Sequence, residues 1–93
     1  MKRIYIAGPM TGYEDYNYPL FNLTAADLRK QGYEVINPAE NGLPPDAEWQ
    51  EHMRVDIANM VTCDAVYRLP GWLQSKGARI EVNLAIELGL ELL

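Results

Sequence analysis

The stretch that decides the fold is DAVYRLPGWLQSKGARIEVNLAIELG, residues 64–89. It opens with DAVYRL, a short run with β-branched and aromatic residues that stops at a Pro-Gly pair, as a strand followed by a breaker does. After a Gly- and Ser-containing loop comes an amphipathic helix that ends at a glycine. Its apolar spacing predicts burial of Ile80, Leu84 and Leu88. The stretch therefore predicts a strand, a loop and a helix in that order.

The same order occurs twice further upstream. KRIYIAG, residues 2–8, and YEVIN, residues 33–37, have the composition of short strands, each stopped by a proline or a Gly-Pro pair. Each is followed by a helical pattern, and LELL, residues 90–93, is a possible fourth strand. The first helix is predicted to bury Phe21, Ala25 and Leu28. The second is predicted to begin after an N-cap at Asp46 and to bury Met53, Ile57, Met60 and Val61.

Strands that alternate with helices predict an α/β fold, with a parallel sheet covered by helices on both faces. We expect one domain over residues 1–93. Because crossover connections are right-handed, its sheet is expected to be doubly wound and Rossmann- or flavodoxin-like, with about four strands in the order 2-1-3-4. Ligands of such folds bind beyond the carboxyl ends of the strands. Three loops leave those ends, at residues 8–18, 38–48 and 70–76, so we expect a site there.

Composition limits the class of protein. The chain has 93 residues and a formal net charge of −5, which argues against binding to a nucleic-acid polymer. Its one cysteine, Cys63, excludes an internal disulfide and is expected to be a buried thiol. No segment has membrane-spanning length and no signal-peptide pattern is present, so we expect a cytoplasmic protein without membrane partners. No His/Cys cluster predicts a metal, no cofactor is predicted, and His52 is interpreted as surface or structural.

Three polar residues are candidates for chemistry. Glu81 lies in the first turn of the last helix, where the helix dipole favours the charged form, so we expect a partly exposed, anionic carboxylate. Such a group could attack an electrophilic sugar carbon. Asp56 borders the buried face of the preceding helix and could orient sugar hydroxyls or pass a proton to a leaving base. Tyr5 places a phenol in the first strand. The alternatives are solvated helix charges and a core tyrosine.

Two loops could hold an anion. The loop after the first strand contains Gly8, Pro9, Met10, Thr11 and Gly12. Its glycines allow backbone N–H groups close to a ligand, although a tight turn after a buried strand is the alternative. Ser75 and Gly77 precede the last helix, whose free N–H groups favour phosphate. A simple Ser N-cap explains that pair equally well.

Together these residues resemble the nucleoside 2-deoxyribosyltransferase-like proteins, in particular the short, often phage- or prophage-encoded DUF4406 branch. The resembling motifs are IYIAGPMTG (4–12), DIANMVTCDAVYRLPGW (56–72) and SKGARIEVNLAIELG (75–89). The resemblance implies that Glu81 is the nucleophile that attacks C1′ of deoxyribose, that Asp56 contacts the sugar and assists the base, and that Tyr5 hydrogen-bonds the nucleophile. It also implies a homodimer.

The resemblance further bears on the substrate. Deoxynucleotide N-hydrolases of this type have a serine six positions before the glutamate, where it meets the 5′-phosphate, and this chain has Ser75 there. The chain departs from the pattern in lacking an arginine in the first loop, where Arg79 could substitute, and in stopping at Leu93. The leading hypothesis is an enzyme that cleaves the N-glycosidic bond of deoxynucleotides or deoxynucleosides. The alternatives are a non-catalytic nucleotide-binding module and a structural or interaction protein.

Overall fold

The computed structural model describes residues 2–93, which form a four-stranded sheet and three α-helices. The strands are β1 (Arg3–Ala7), β2 (Glu34–Ile36), β3 (Ala65–Arg68) and β4 (Glu91–Leu92). The helices are α1 (Tyr18–Lys30), α2 (Trp49–Met60) and α3 (Lys76–Glu87). Short 3-10 turns lie at Glu14–Asn17, Pro38–Glu40 and Trp72–Gln74. Among these residues, no helix is long and apolar enough to cross a lipid bilayer.

The sheet is entirely parallel and its strands lie in the order β2-β1-β3-β4. β1 is central, with Tyr5 opposite Ile36 of β2 on one side and Val66 of β3 on the other. Both the α/β class and the predicted strand order are confirmed. The carboxyl ends of β1, β2 and β3 therefore meet at one edge of the sheet, where the loops that follow them come together.

Alternate residues of β1 face opposite helical layers. Ile4 and Ile6 pack with α1, whose Phe21, Ala25 and Leu28 are buried as predicted. Tyr5 and Ala7 point to the other face and pack with Met60 of α2 and with α3. The period of two along β1 thus places the phenol of Tyr5 on the face that α3 covers.

The prediction for the buried face of α3 was wrong. Ile80 is 39% exposed, Leu88 is 51% exposed, and Leu84 is only partly buried. The buried side of the helix consists instead of Gly77, Ala78, Glu81, Val82 and Ala85. Small residues let the helix axis approach the sheet and α2, so the glycine–alanine side packs inward and the side with larger apolar residues faces outward.

α2 also differs from its prediction. The helix begins at Trp49 with Glu48 at its N-cap and no side-chain capping bond, so Asp46 is not the cap. Val61 lies beyond the last helical residue and is exposed, because a residue outside the helix does not continue its buried stripe. Met60 is buried, whereas Met53 and Ile57 are partly buried. Cys63 is a free, buried thiol, as expected.

Candidate active site

A cleft of about 390 Å³ opens at the carboxyl edge of the sheet. Its walls come from β1 and the loop after it, from the start of α1, from the loop after β2, from α2 and from the N-terminal half of α3. The predicted site residues that line it are Tyr5, Gly8, Met10, Thr11, Asp56, Ser75, Gly77 and Glu81. Pro9 and Gly12 are not among the lining residues. The fold thus brings together residues that are up to 76 positions apart in the sequence.

Tyr5 and Glu81 form a hydrogen-bonded pair at the base of this cleft. The phenol of Tyr5 donates to Glu81 Oε2 at 2.6 Å, and both side chains are buried. Burial, with the nearby carboxylates, raises the pKa of Tyr5 well above its usual value, so the phenol keeps its proton and remains a donor. This contact requires Tyr5 on the α3 side of β1 and Glu81 on the sheet side of α3.

The expectation of a partly exposed, anionic Glu81 was wrong. The side chain is 5% exposed, and burial raises the pKa of Glu81 from 4.5 to about 8. The hydrogen bond from Tyr5 acts in the opposite direction, and the charge of Asp56 adds to the increase. Removal from water therefore outweighs the phenol and favours the neutral carboxylic acid. The predicted place in the first turn was also wrong, because α3 begins at Lys76 and Glu81 lies one turn further along.

Asp56 is the other buried carboxyl group of the cleft. Burial raises its pKa, while a hydrogen bond from Asn41 and the proximity of His52 lower it. Asn41 Nδ2 donates to Asp56 Oδ1 at 2.9 Å. Two carboxyl groups with raised pKa values in one cleft are typical of acid–base sites.

Ser75 is both the N-cap of α3 and a wall of the cleft. Its Oγ accepts a hydrogen bond from the Ala78 N–H at 3.2 Å, so Ser75 caps the helix, as one of the two sequence interpretations predicted. A hydroxyl that accepts one hydrogen bond can still donate another, so Ser75 retains a donor for a ligand.

Positive charge is scarce in the cleft. Among the residues that line it, as far as the structure describes the chain, none is lysine or arginine, and Arg79 lies on the exposed side of α3. His52 is the lining residue that can carry a positive charge. Any anion bound here would rely on the N-terminus of α3 and on neutral donors.

Sequence reasoning missed several lining residues. Tyr16, Tyr18 and Trp49 place aromatic rings at the cleft, and Lys76 lies over the Trp49 ring at 4.8 Å from its centroid. Asn41 was also missed, although it lies in one of the three loops at the strand ends. No spacing pattern in the sequence predicts that these aromatic side chains reach the cleft, because tertiary contacts bring them there.

The sheet order and the carboxyl-edge cleft define a doubly wound α/β protein with a pair of buried acids beside a helix N-terminus. The family described as "Domain of unknown function (DUF4406)" matches residues 2–93, and the chain belongs to this family. No curated protein matches the chain significantly.

Two solved structures share the fold. One is described as a 2-desoxiribosyltransferase from Leishmania mexicana: it is 24% identical, the TM-score is 0.76, and the match covers 100% of this chain and 63% of that one. The other is a CMP N-glycosidase, BcmB, from Clostridium botulinum: it is 20% identical, the TM-score is 0.67, and the match covers 98% of this chain and 66% of that one. The chain thus spans just under two thirds of the length of each.

Proposed function

We propose that this protein is an enzyme that cleaves the N-glycosidic bond of 2′-deoxynucleoside 5′-monophosphates or deoxynucleosides through a covalent intermediate on Glu81. The observation that carries the proposal is the placement of Tyr5, Asp56 and Glu81 in one cleft, with Tyr5 bonded to Glu81 at 2.6 Å. The two enzymes with the same fold are named for glycosyl transfer and N-glycoside cleavage, which supports this class of reaction.

In the proposed first step, a carboxylate oxygen of Glu81 forms a bond to C1′ as the C1′–N bond breaks. The base leaves with the bonding electron pair and takes a proton from the carboxylic acid of Asp56, whose raised pKa favours holding one. The Tyr5 phenol stabilises the Glu81 anion before attack and as it leaves again. In the second step, water or a second base attacks C1′, Asp56 accepts a proton, and Glu81 is released.

Ser75 and the first turn of α3 are the proposed phosphate contacts, with Gly8 to Gly12 as the facing loop. The Ser75 hydroxyl and the backbone N–H groups at the start of α3 supply neutral donors, which supports this assignment. The low positive charge of the cleft predicts modest affinity for the phosphate, since no charge-assisted pair with lysine or arginine adds to it.

A non-catalytic nucleotide-binding module is the second candidate. The specific observation in its favour is the burial of Glu81, which raises its pKa to about 8 and disfavours the nucleophilic anion. In this candidate function, the cleft binds the nucleotide but does not catalyse its cleavage.

The experiment that separates the two candidates is an assay of base release by chromatography. The panel holds the deoxynucleosides, their 5′-monophosphates and the matching ribonucleotides, and it is run at pH 7 and pH 9, below and above the pKa of Glu81. The enzyme proposal expects base release that differs between the two pH values, since Glu81 must lose a proton and Asp56 must keep one, and that is absent in Glu81→Gln. Binding without base release from any substrate would favour the module.

A further inference from the structure

A hydrogen-bonded cluster outside the proposed catalytic trio joins the loop after β2 to α2. Asn41 Nδ2 lies 2.9 Å from Asp56 Oδ1 and 3.1 Å from His52 Nδ1. Asn41 Oδ1 accepts the N–H of Leu43 at 3.0 Å, and His52 Nε2 lies 3.1 Å from the carbonyl oxygen of Pro44. Both polar atoms of the Asn41 side chain are therefore in use.

The chemistry of these groups allows one arrangement of hydrogens. The amide nitrogen of Asn41 has two hydrogens, and these reach Asp56 and the unprotonated Nδ1 of His52. His52 then carries its hydrogen on Nε2 and donates it to the Pro44 carbonyl. A reversed Asn41 amide would face its NH₂ group to the N–H of Leu43, two donors with no acceptor between them. The cluster thus specifies both the amide orientation and the histidine tautomer.

The cluster constrains Asp56 in particular. Within residues 2–93, Asn41 is the side chain that donates a hydrogen bond to this buried carboxyl group, and it engages Oδ1. Oδ2 has no protein hydrogen-bond partner in the same part of the chain, so it is the oxygen left for a ligand. A carboxyl group held at one oxygen keeps the other at a defined position, which proton transfer over hydrogen-bond distance requires.

We propose that Asn41 is a positioning residue, which holds Asp56 in place for proton transfer to the leaving base, and that His52 in turn fixes the Asn41 amide. This inference rests on the proposed function, since it assigns Asn41 a task in that reaction. Asn41 acts through Asp56 and is not itself assigned a contact with the reacting atoms.

Asn41→Ala and the isosteric Asn41→Asp test the proposal in the assay of base release. Loss of the donor leaves Asp56 free to rotate, so kcat is expected to fall by about tenfold to a hundredfold with little change in KM. Asn22→Ala is the matched control, because it removes another amide pair of the same loop, that of Asn22 with Asn37, without touching Asp56. The control is expected to keep the kcat of the wild type.

A second readout does not depend on turnover. The carboxyl carbon of Asp56 is titrated by ¹³C NMR in wild type, in both Asn41 variants and in the control. The Asn41 hydrogen bond lowers the pKa of Asp56, so its removal is expected to raise that pKa. The other titratable groups coupled to Asp56 are Tyr5, Tyr18, His52 and Glu81, and they are present in all four proteins. Asn41→Asp adds a carboxylate beside Asp56, which itself raises the pKa, so Asn41→Ala is the variant that isolates loss of the hydrogen bond.

The two readouts separate the inference from the proposed function. A raised Asp56 pKa in the Asn41 variants, in a wild type that releases no base, would support the contact and overturn the enzyme proposal. An active wild type whose kcat and Asp56 titration are both unchanged in the two Asn41 variants would overturn the positioning role. Thermal melts confirm that each variant is folded before either comparison is made.

Discussion

At the scale of the single residue, Glu81 is held between opposing effects. The Tyr5 phenol at 2.6 Å favours the anion, whereas nearly complete burial favours the acid. Burial is the larger effect and sets the pKa at about 8. A nucleophilic carboxylate that is mostly protonated at neutral pH makes the proposed reaction strongly dependent on pH.

The first prediction concerns that dependence. For an active wild type, kcat/KM is expected to pass through a maximum with pH, since Glu81 must lose its proton before attack and Asp56 must keep a proton for the leaving base. Tyr5→Phe removes the hydrogen bond that lowers the pKa of Glu81, so the limb of the profile that Glu81 sets should move to higher pH. Tyr67→Phe is the control, because this strand tyrosine packs on the α1 side of the sheet. A pH profile unchanged by Tyr5→Phe would contradict the assignment of one limb to Glu81.

The second prediction concerns stability. Between pH 4.5 and about 8, the unfolded chain has lost the Glu81 proton that the folded chain keeps, so this group makes folding less favourable as pH rises. Through Glu81, the free energy of unfolding falls by at most about 1.4 kcal/mol for each pH unit, and this decrease ends above pH 8. Glu81→Gln lacks the titration, so its stability relative to wild type should rise over that window.

Urea unfolding at several pH values measures this difference. The matched control is Glu87→Gln, which alters an exposed glutamate of the same helix and should give a flat difference. If Glu81→Gln also gives a flat difference, the carboxyl group is not buried as described.

At the scale of the element, close approach of loops shapes the cleft. Gly8 follows β1, and Leu69 follows β3, the neighbouring strand. A Cβ on Gly8 would lie 2.7 Å from Leu69 Cβ and 2.9 Å from Leu69 Cδ1. The glycine is therefore required by contact rather than by its backbone angles, and it lets the loops after two adjacent strands lie together at the cleft.

The third prediction follows from this contact. Gly8→Ala should lower the free energy of unfolding by about 1–3 kcal/mol, because the buried Leu69 must shift to accept an extra methyl group. Denaturant unfolding measures the loss. Thr11→Ala serves as the control, since Thr11 is exposed in the same loop and should cost much less. Equal stabilities for wild type and Gly8→Ala would show that the two loops are not packed as closely as described.

At the scale of the whole molecule, the cleft and the outer face of α3 present different chemistry. The cleft contains buried acids and neutral donors, whereas Leu73, Ile80, Ile86 and Leu88 are exposed apolar residues on or near α3. Exposed apolar surface of this kind is consistent with contact between copies of the chain.

The fourth prediction concerns ligand charge. If Ser75 and the N-terminus of α3 contact a phosphate, a deoxynucleoside 5′-monophosphate should raise the melting temperature more than the matching nucleoside does. Differential scanning fluorimetry with matched pairs measures the two shifts. Equal shifts, or none with the monophosphate, would contradict the role of Ser75.

The fifth prediction is the homodimer that the family resemblance implies. Light scattering at micromolar concentration is expected to give twice the mass of one chain. Leu88→Glu should shift the mass toward one chain if the outer face of α3 forms the interface, since it places a charge on an exposed apolar position. A wild-type mass equal to one chain would contradict the dimer.

The order of strands and helices could be read from the sequence, because hydrophobic periodicity and breakers are local properties that repeat along the chain. Given that order, right-handed crossovers lead to the sheet β2-β1-β3-β4 and to a cleft at its carboxyl edge. The candidates Tyr5, Asp56 and Glu81 were also found from the sequence, with the help of the family resemblance.

The side of α3 that faces the sheet was not predictable from the sequence. Both faces of the helix are apolar enough to pack, and contact with β1 and α2 selects the side with smaller residues. The protonation of Glu81 and the Asn41 bond to Asp56 depend on neighbours distant in sequence, since desolvation and hydrogen bonding are set by what surrounds a group in three dimensions.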